Sequence, residues 1–316
     1  MASDQLLGSP VRFSGMDTIT EEKIPQDVTI SGMCKIPHNF ECGNLRISGS
    51  VEANGTITCN GEMRNSGMFQ IAGDLLVGAE LRCSGLTRAA CNVTAQGEVR
   101  TSGVFHVGGG LVANTGARLA GSTTVEHDAV IRGEFVANGL LKVKGHLIVD
   151  AGAVKVTCIG IPSIFGKWGR SGIGGSVVTT DRITLRNVTV DGNVFGTVVN
   201  IQRGTKVAGI VYFTDTVEVS EKANLAAAPV KISVDQLMQT RASVGQAENV
   251  PADSSEGVPA PVASDGSLTP KEVVEMAEAT GETPAPSRMI LYCPQCGSRL
   301  KNPVRFCPFC GLKIAD

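Results

Sequence analysis

Ten cysteines are spread over the 316 residues, and only four stand in matched pairs: Cys293-Pro-Gln-Cys296-Gly and Cys307-Pro-Phe-Cys310-Gly, ten residues apart. Each CPxCG turn brings two sulfurs to one knuckle, and its glycine lets the backbone fold around an ion. Two knuckles joined by a short hairpin offer four thiolates at tetrahedral geometry. That set suits one structural Zn²⁺ ion and leaves no open position for catalysis. A segment this short has no room for a hydrophobic core, so metal binding is expected to supply its folding energy. A redox dithiol is the rival reading of a lone CxxC, but two matched pairs favour metal. Cys34, Cys42, Cys59, Cys83, Cys91 and Cys158 have no such spacing, and with no export signal at residues 1–15 they point to a reducing cytoplasm.

Acid–base chemistry has little to work with. The histidines are His38, His106, His127 and His146, and none is spaced with a nucleophile or paired carboxylate that would make it a general base. No GxxxxGK[ST] phosphate loop occurs, so no nucleotide hydrolysis is expected and the chain reads as a non-enzyme. Thirty acidic and 28 basic residues give a net charge of −2, which argues against nucleic-acid binding. No apolar run approaches the ~18 residues of a membrane helix.

The elements that must carry these groups are set by a six-residue repeat. Taking every sixth position from 43 to 145 gives 18 slots, and glycine fills 14 of them. Between 43 and 150 there are 18 charged residues, nine of each sign, and every one has an even number. Odd positions are mainly apolar: bulky two residues after the slot (Val51, Ile57, Phe69, Leu75, Phe105), smaller four after it (Ala53, Cys59, Ala89, Ala95). Only strands, whose successive side chains point to opposite sides, segregate charge in this way.

Six-residue strands without intervening helices cannot bury a face singly. Wound into a coil, each turn stacks on the next and closes a dry interior, and three walls per turn give a repeat of three hexads. Glycine at fixed phase marks the corners, where the chain needs positive φ or close backbone approach. The sequence therefore predicts an all-β solenoid over 28–231 of about ten turns, ~50 Å long at the usual strand spacing. Residues 1–27 are expected to be flexible, and residues 160–176, rich in glycine and carrying Phe165 and Trp168, to be an inserted loop. Residues 232–288 read as a disordered acidic linker: 233–288 hold nine acidic and three basic residues. Within it, Thr269-Pro270-Lys271-Glu272 opens a short helix over 270–279 by capping-box chemistry. Residues 289–316 form the metal module.

The segments ISGSVEANGTI, SGMFQIAGDL and VTVDGNVFGTVVNIQRGTKVAGIVYF resemble the bactofilins, polymer-forming cytoskeletal proteins, and the paired CPxCG knuckles resemble zinc-ribbon modules. The first resemblance implies a right-handed triangular β-helix that assembles end to end into filaments without nucleotide, often beneath a membrane. Open strand edges at both ends support self-assembly on physical grounds, with Val211 and Phe213 of the last turn as the candidate contact. The basic tail beside the acidic linker points to a protein partner for the ribbon. Phe165 and Trp168, beside Lys167 and Arg170, are a candidate contact to membrane or partner, which would put the protein in the cytoplasm or at the inner face of the membrane. Two other classes compete. One is a β-solenoid enzyme, of the hexapeptide acyltransferase or carbohydrate-active kind. The other is a non-polymerising membrane-associated adaptor.

Overall fold

The structure, a computed structural model, describes residues 9–158 and 171–246, together with two short strands, Leu291–Tyr292 and Arg299–Leu300. The first of these regions is a parallel β-solenoid of about 12 turns spanning residues 11–231. Its strands stack in three walls. The first wall starts at Val11–Phe13, on which Val28–Ile30 and then Leu45–Ile47 are laid in register. The second starts at Met16–Thr18 and the third at Lys23–Ile24. Near the end, single long strands turn the corner between walls: Val194–Ile201 pairs through Val194 with Val177 of the third wall and through Val199 with Ile183 of the first.

Two boundaries differ from expectation. The coil begins at Val11, so residues 11–27 form a complete winding and not a flexible lead. The glycine phase concealed it because early turns are one residue short: Val11 pairs with Val28 and Val28 with Leu45, steps of 17, whereas Leu45 to Met63 and Met63 to Leu81 are steps of 18. The insertion is also narrower than 160–176. Ser171–Ile173 already lies on the second wall, paired with Lys142–Val143 before it and Val188–Val190 after it. The step from Val154 to Ile183 on the first wall is 29 residues, and the excess falls between Cys158 and Ser171. Phe165 and Trp168 lie outside the described residues.

The periodic glycines are needed for close approach. At the corner between the first and second walls, Gly32, Gly49, Gly67, Gly85, Gly103, Gly121 and Gly139 stand in a column. A Cβ added to any of them would meet the carbonyl oxygen of the glycine one turn earlier at 1.9–2.0 Å. No side chain fits there, whatever its φ. Positive φ is confined, among the described glycines, to Gly116, Gly152 and Gly204.

Inside, residue size alternates along the axis as well as along the chain. Val51, Phe69, Thr87, Phe105, Thr123 and Leu141 are stacked neighbours on the second wall, so each phenylalanine sits between smaller residues. The interior threonines are satisfied where they stand. Asn65 Nδ2 donates to Thr87 Oγ1 at 2.8 Å and to Leu86 O at 3.0 Å, and the hydroxyls of Thr101 and Thr123 are 3.3 Å apart. Burying these groups is therefore compatible with an otherwise apolar core.

Residues 234–246, expected within the disordered linker, form a helix, α1 (Val234–Gln246). Its start is a reciprocal capping box: Gln236 N–H donates to Ser233 Oγ at 3.2 Å, and Ser233 N–H donates to Gln236 Oε1 at 3.0 Å. Leu237 and Val244 fall on one side of the helix and pack against Val178, Phe195 and Tyr212 on the outside of the third wall. Arg241, on the same side, donates to Asp150 Oδ1 from Nη2 at 3.0 Å. Phe195 and Tyr212 stack beneath it with ring centroids 4.7 Å apart. The helix anticipated at 270–279 lies outside the described residues.

The corner column generates a direct test. Gly85→Ala is expected to destabilise the solenoid by about 1–3 kcal/mol, the usual cost of forcing atoms into a filled site. Gly15→Ala, at the foot of the column with nothing within 4 Å of its added Cβ, is expected to be neutral. Urea unfolding of the two variants beside the parent checks both.

Candidate functional site

The solenoid converts the sequence repeat into straight ladders of chemistry. On the first wall Arg46, Arg64, Arg82, Arg100 and Arg118 stand directly above one another. The even balance of charges in the sequence gave no hint of this column. It is tolerated because glutamates occupy the next column. Arg64 meets Glu62 at 2.7 Å, Arg82 meets Glu80 at 2.5 Å, Arg100 bridges Glu80 (3.0 Å) and Glu98 (2.6 Å), and Arg118 meets Glu98 at 3.1 Å. The hydrogen bond from Arg82 holds the Glu80 carboxyl below the usual carboxylate range. The arginines of these pairs remain open to solvent, so each pair is worth about 1 kcal/mol, and their main effect is to cancel repulsion along the column. A shallow groove of ≈ 600 Å³ runs between this column and the serines Ser48, Ser66, Ser84 and Ser102.

The four histidines stand on different turns, and the ring nitrogens of three of them face backbone groups. His38 Nδ1 lies 2.9 Å from Asn39 O, and His127 Nδ1 lies 3.1 Å from Gly108 O. His146 belongs to a ladder at the entry to the third wall, in which each side chain receives the backbone N–H of the next turn. His146 Nδ1 accepts from Ser176 N–H at 2.9 Å, Ser176 Oγ from Asn193 N–H at 3.1 Å, and Asn193 Oδ1 from Ile210 N–H at 2.8 Å. As an acceptor at Nδ1, His146 carries its proton on Nε2.

Five of the six solenoid cysteines are buried. Cys42 and Cys59 are register partners, and Cys59 Sγ donates to Gly43 O and Glu62 O at 3.1 and 3.2 Å. Contact with Cys59 and burial push the Cys42 thiol up. Cys83 is pushed up to about 11 by burial. Cys91, at an odd position expected to face inward, is exposed because it occupies a corner slot.

The residues picked for end-to-end contact are in different environments. Val211 is fully buried, and Phe213 is partly buried against the core, with Lys231 stacked on it as register partner. The chain makes a further pass above them, so the end surface lies elsewhere. At the amino-terminal end the strands Val11–Phe13, Met16–Thr18 and Lys23–Ile24 pair, among the described residues, only with the turn that follows. At the other end Asn224–Leu225 and Val230–Lys231 pair, among the described residues, only with the turn before. Val11 and Phe13 at one end, and Val217, Ala223 and Leu225 at the other, close the core only partly.

Cys293, Cys296, Cys307 and Cys310 lie outside the described residues. In the second unit, residues 253–316, Leu291 pairs with Leu300 and Tyr292 with Arg299 in an antiparallel hairpin. No helix among the described residues is long and apolar enough to cross a membrane. Searches against family models, curated proteins and solved structures find no match to this chain.

Thiol chemistry checks the inward and outward assignments. In native protein at pH 8, Cys91 is expected to react first with a disulfide reagent, while Cys34, Cys42, Cys59, Cys83 and Cys158 react only after unfolding. Because the folded state holds Cys83 protonated, its contribution is constant below the unfolded thiol pKa of about 8.5. It is lost as pH rises from there towards about 11, and urea midpoints across that range would record the fall.

Proposed function

We propose that this protein is a bactofilin-like scaffold: a right-handed, triangular coil that joins end to end into filaments without nucleotide and presents a zinc ribbon to a protein partner. The observation that carries the reading is the state of the two ends. Among the described residues, each terminal turn has strands hydrogen-bonded on one side only, together with a core left partly uncovered. Unpaired N–H and C=O groups at an open edge are satisfied most simply by another edge of the same spacing. The helix α1 leaves these edges alone, because it packs on the outer face of the third wall. No catalytic step is assigned to the chain.

The ribbon reading rests on the cysteine spacing and on the hairpin that brackets the first knuckle. Cys293, Cys296, Cys307 and Cys310 would hold one Zn²⁺ as thiolates, and the ion would supply folding energy to residues 289–316. Residues 247–290 separate α1 from those two strands.

Negative-stain electron microscopy without nucleotide is expected to show filaments, both for the full chain and for one ending at residue 246. Val11→Arg and Val219→Arg, at opposite ends, are expected to leave folded single rods. Filaments that persist in both variants would remove the end-to-end reading. For the ribbon, elemental analysis is expected to find one zinc per chain, lost in Cys296→Ser, with faster proteolysis of residues 289–316 in that variant. A metal-free chain with a protease-resistant tail would refute zinc-dependent folding.

A further inference from the structure

The interior of the coil ends on charge at both of its open turns. On the second wall Asp17 stands on buried Cys34, at the head of an inward column that continues through Val51 and Phe69. On the third wall Glu22 directly precedes Lys23, the partner of Glu41, and so stands over buried Phe40. The amino-terminal turn thus places two carboxylates at inward positions. Burial raises the Cys34 thiol, and the Asp17 carboxylate beside it adds to the rise. At the other end Lys231 stands on Phe213, in the inward column that began at Ile24 and Cys42. The turns between fill these columns with uncharged side chains, among them Thr87, Phe105 and Leu141 in the first and Val77, Ala95 and Ile131 in the last.

Register says which end can receive which. Laying the first turn of a second copy on the last turn of this one continues all three walls. Along the first wall that joint would set Val11 on Val217, Arg12 on Glu218 and Phe13 on Val219. Arg12 makes no ion pair among the described residues, and Glu218 is held from the turn before by Asn200 Nδ2 at 2.6 Å. Inside the tube, Asp17 would lie on Ala223 and Ile24 on Lys231. The ammonium of Lys231 would then enter the same closed section as the carboxylates of Asp17 and Glu22. No two like charges fall in register. Joints between like ends are different. Two amino-terminal turns would enclose both Asp17 and both Glu22 carboxylates, and two carboxy-terminal turns both Lys231 ammonium groups. Enclosing like charges without counter-charges is strongly unfavourable where water is excluded.

We infer that the rods join head to tail, with Lys231 of one copy received inside the joint by Asp17 and Glu22 of the next, so that a filament has a direction. Inward charge at an open edge is a means of blocking unwanted pairing, and here it bars like ends while leaving unlike ends complementary. The contact between Arg12 and Glu218 on the outer face adds a second charge match in the same sense. The helix α1 stays clear of the joint, because it packs on the outside of the third wall. The inference rests on the end-to-end reading and adds to it the identity of the two ends that meet.

The test is sedimentation and negative-stain microscopy of the full chain in charge-swapped form. One variant carries Lys231→Glu, the other Asp17→Lys together with Glu22→Lys. Each alone should raise the protein concentration needed for assembly at least about tenfold, because like charges then meet in the joint. Mixed together, the two variants should assemble as the parent does, since each supplies the end that the other lacks. A chain carrying all three changes should also assemble alone. The three positions are exposed in the single rod, and unchanged circular-dichroism melts would confirm intact folds. Variants that assemble singly like the parent, or that fail to rescue one another on mixing, overturn the head-to-tail pairing while leaving the parent's filaments in place. A parent that stays as single rods overturns the end-to-end reading and this inference with it.

Discussion

The dependence of every residue on its counterpart one turn away governs this molecule. Parallel strands hydrogen-bonded in register fix the axial rise at about 4.8 Å, and no turn can deviate without breaking bonds to both neighbours. Seven corner glycines follow from that rise, since two backbones passing at such a distance leave no volume for a Cβ. The core follows as well. Phe69 and Phe105 alternate with Thr87 along one column, so large and small side chains share the width of the tube. So does the surface, where any residue type repeated at the same phase becomes a continuous line.

Lines of like residues are costly or useful according to their chemistry. A column of five arginines would repel itself, and the interleaved glutamates turn it into an alternating ionic lattice of small net worth. A column of hydrogen-bonding side chains at the corner before the third wall supplies each turn with an acceptor for a backbone N–H that faces no strand partner. His146 serves there as one acceptor in a ladder that also uses Asp128, Ser176 and Asn193.

Much of the solenoid was legible in its sequence because parity and period are properties of single residues. The even numbering of the charges fixed which side faced water, and the inward assignment extended correctly to polar Asn65, Thr87 and Thr101. What could not be read arose from relations between turns. The 17-residue early turns moved Gly15 and Gly32 out of phase with Gly67, so the first winding looked like irregular chain. The capping box at Ser233–Gln236 was visible in principle, but the marginal apolar content of α1 gains meaning only beside Phe195 and Tyr212. The exposed side chains of odd-numbered Met33 and even-numbered Met68 stand at one register position of the second wall, which no parity count reveals. Of the candidate sites, the cysteine pairs rest on spacing alone, whereas Val211 and Phe213 were picked from a turn on which Val230–Lys231 is in fact laid.

The order of contacts also bears on how the rod comes into being. Nearly every strand bonds to one that left the ribosome about one turn before it, so each winding can settle on a template already present, and folding can advance with synthesis. At every stage the growing end is an open edge like the final one. The exception is α1, whose Arg241 reaches back 91 residues to Asp150. Its docking requires the intervening windings to be in place, including the wall that resumes at Ser171 after the insertion. The clasp between α1 and the third wall therefore forms last, and it marks a rod whose upper turns have been completed.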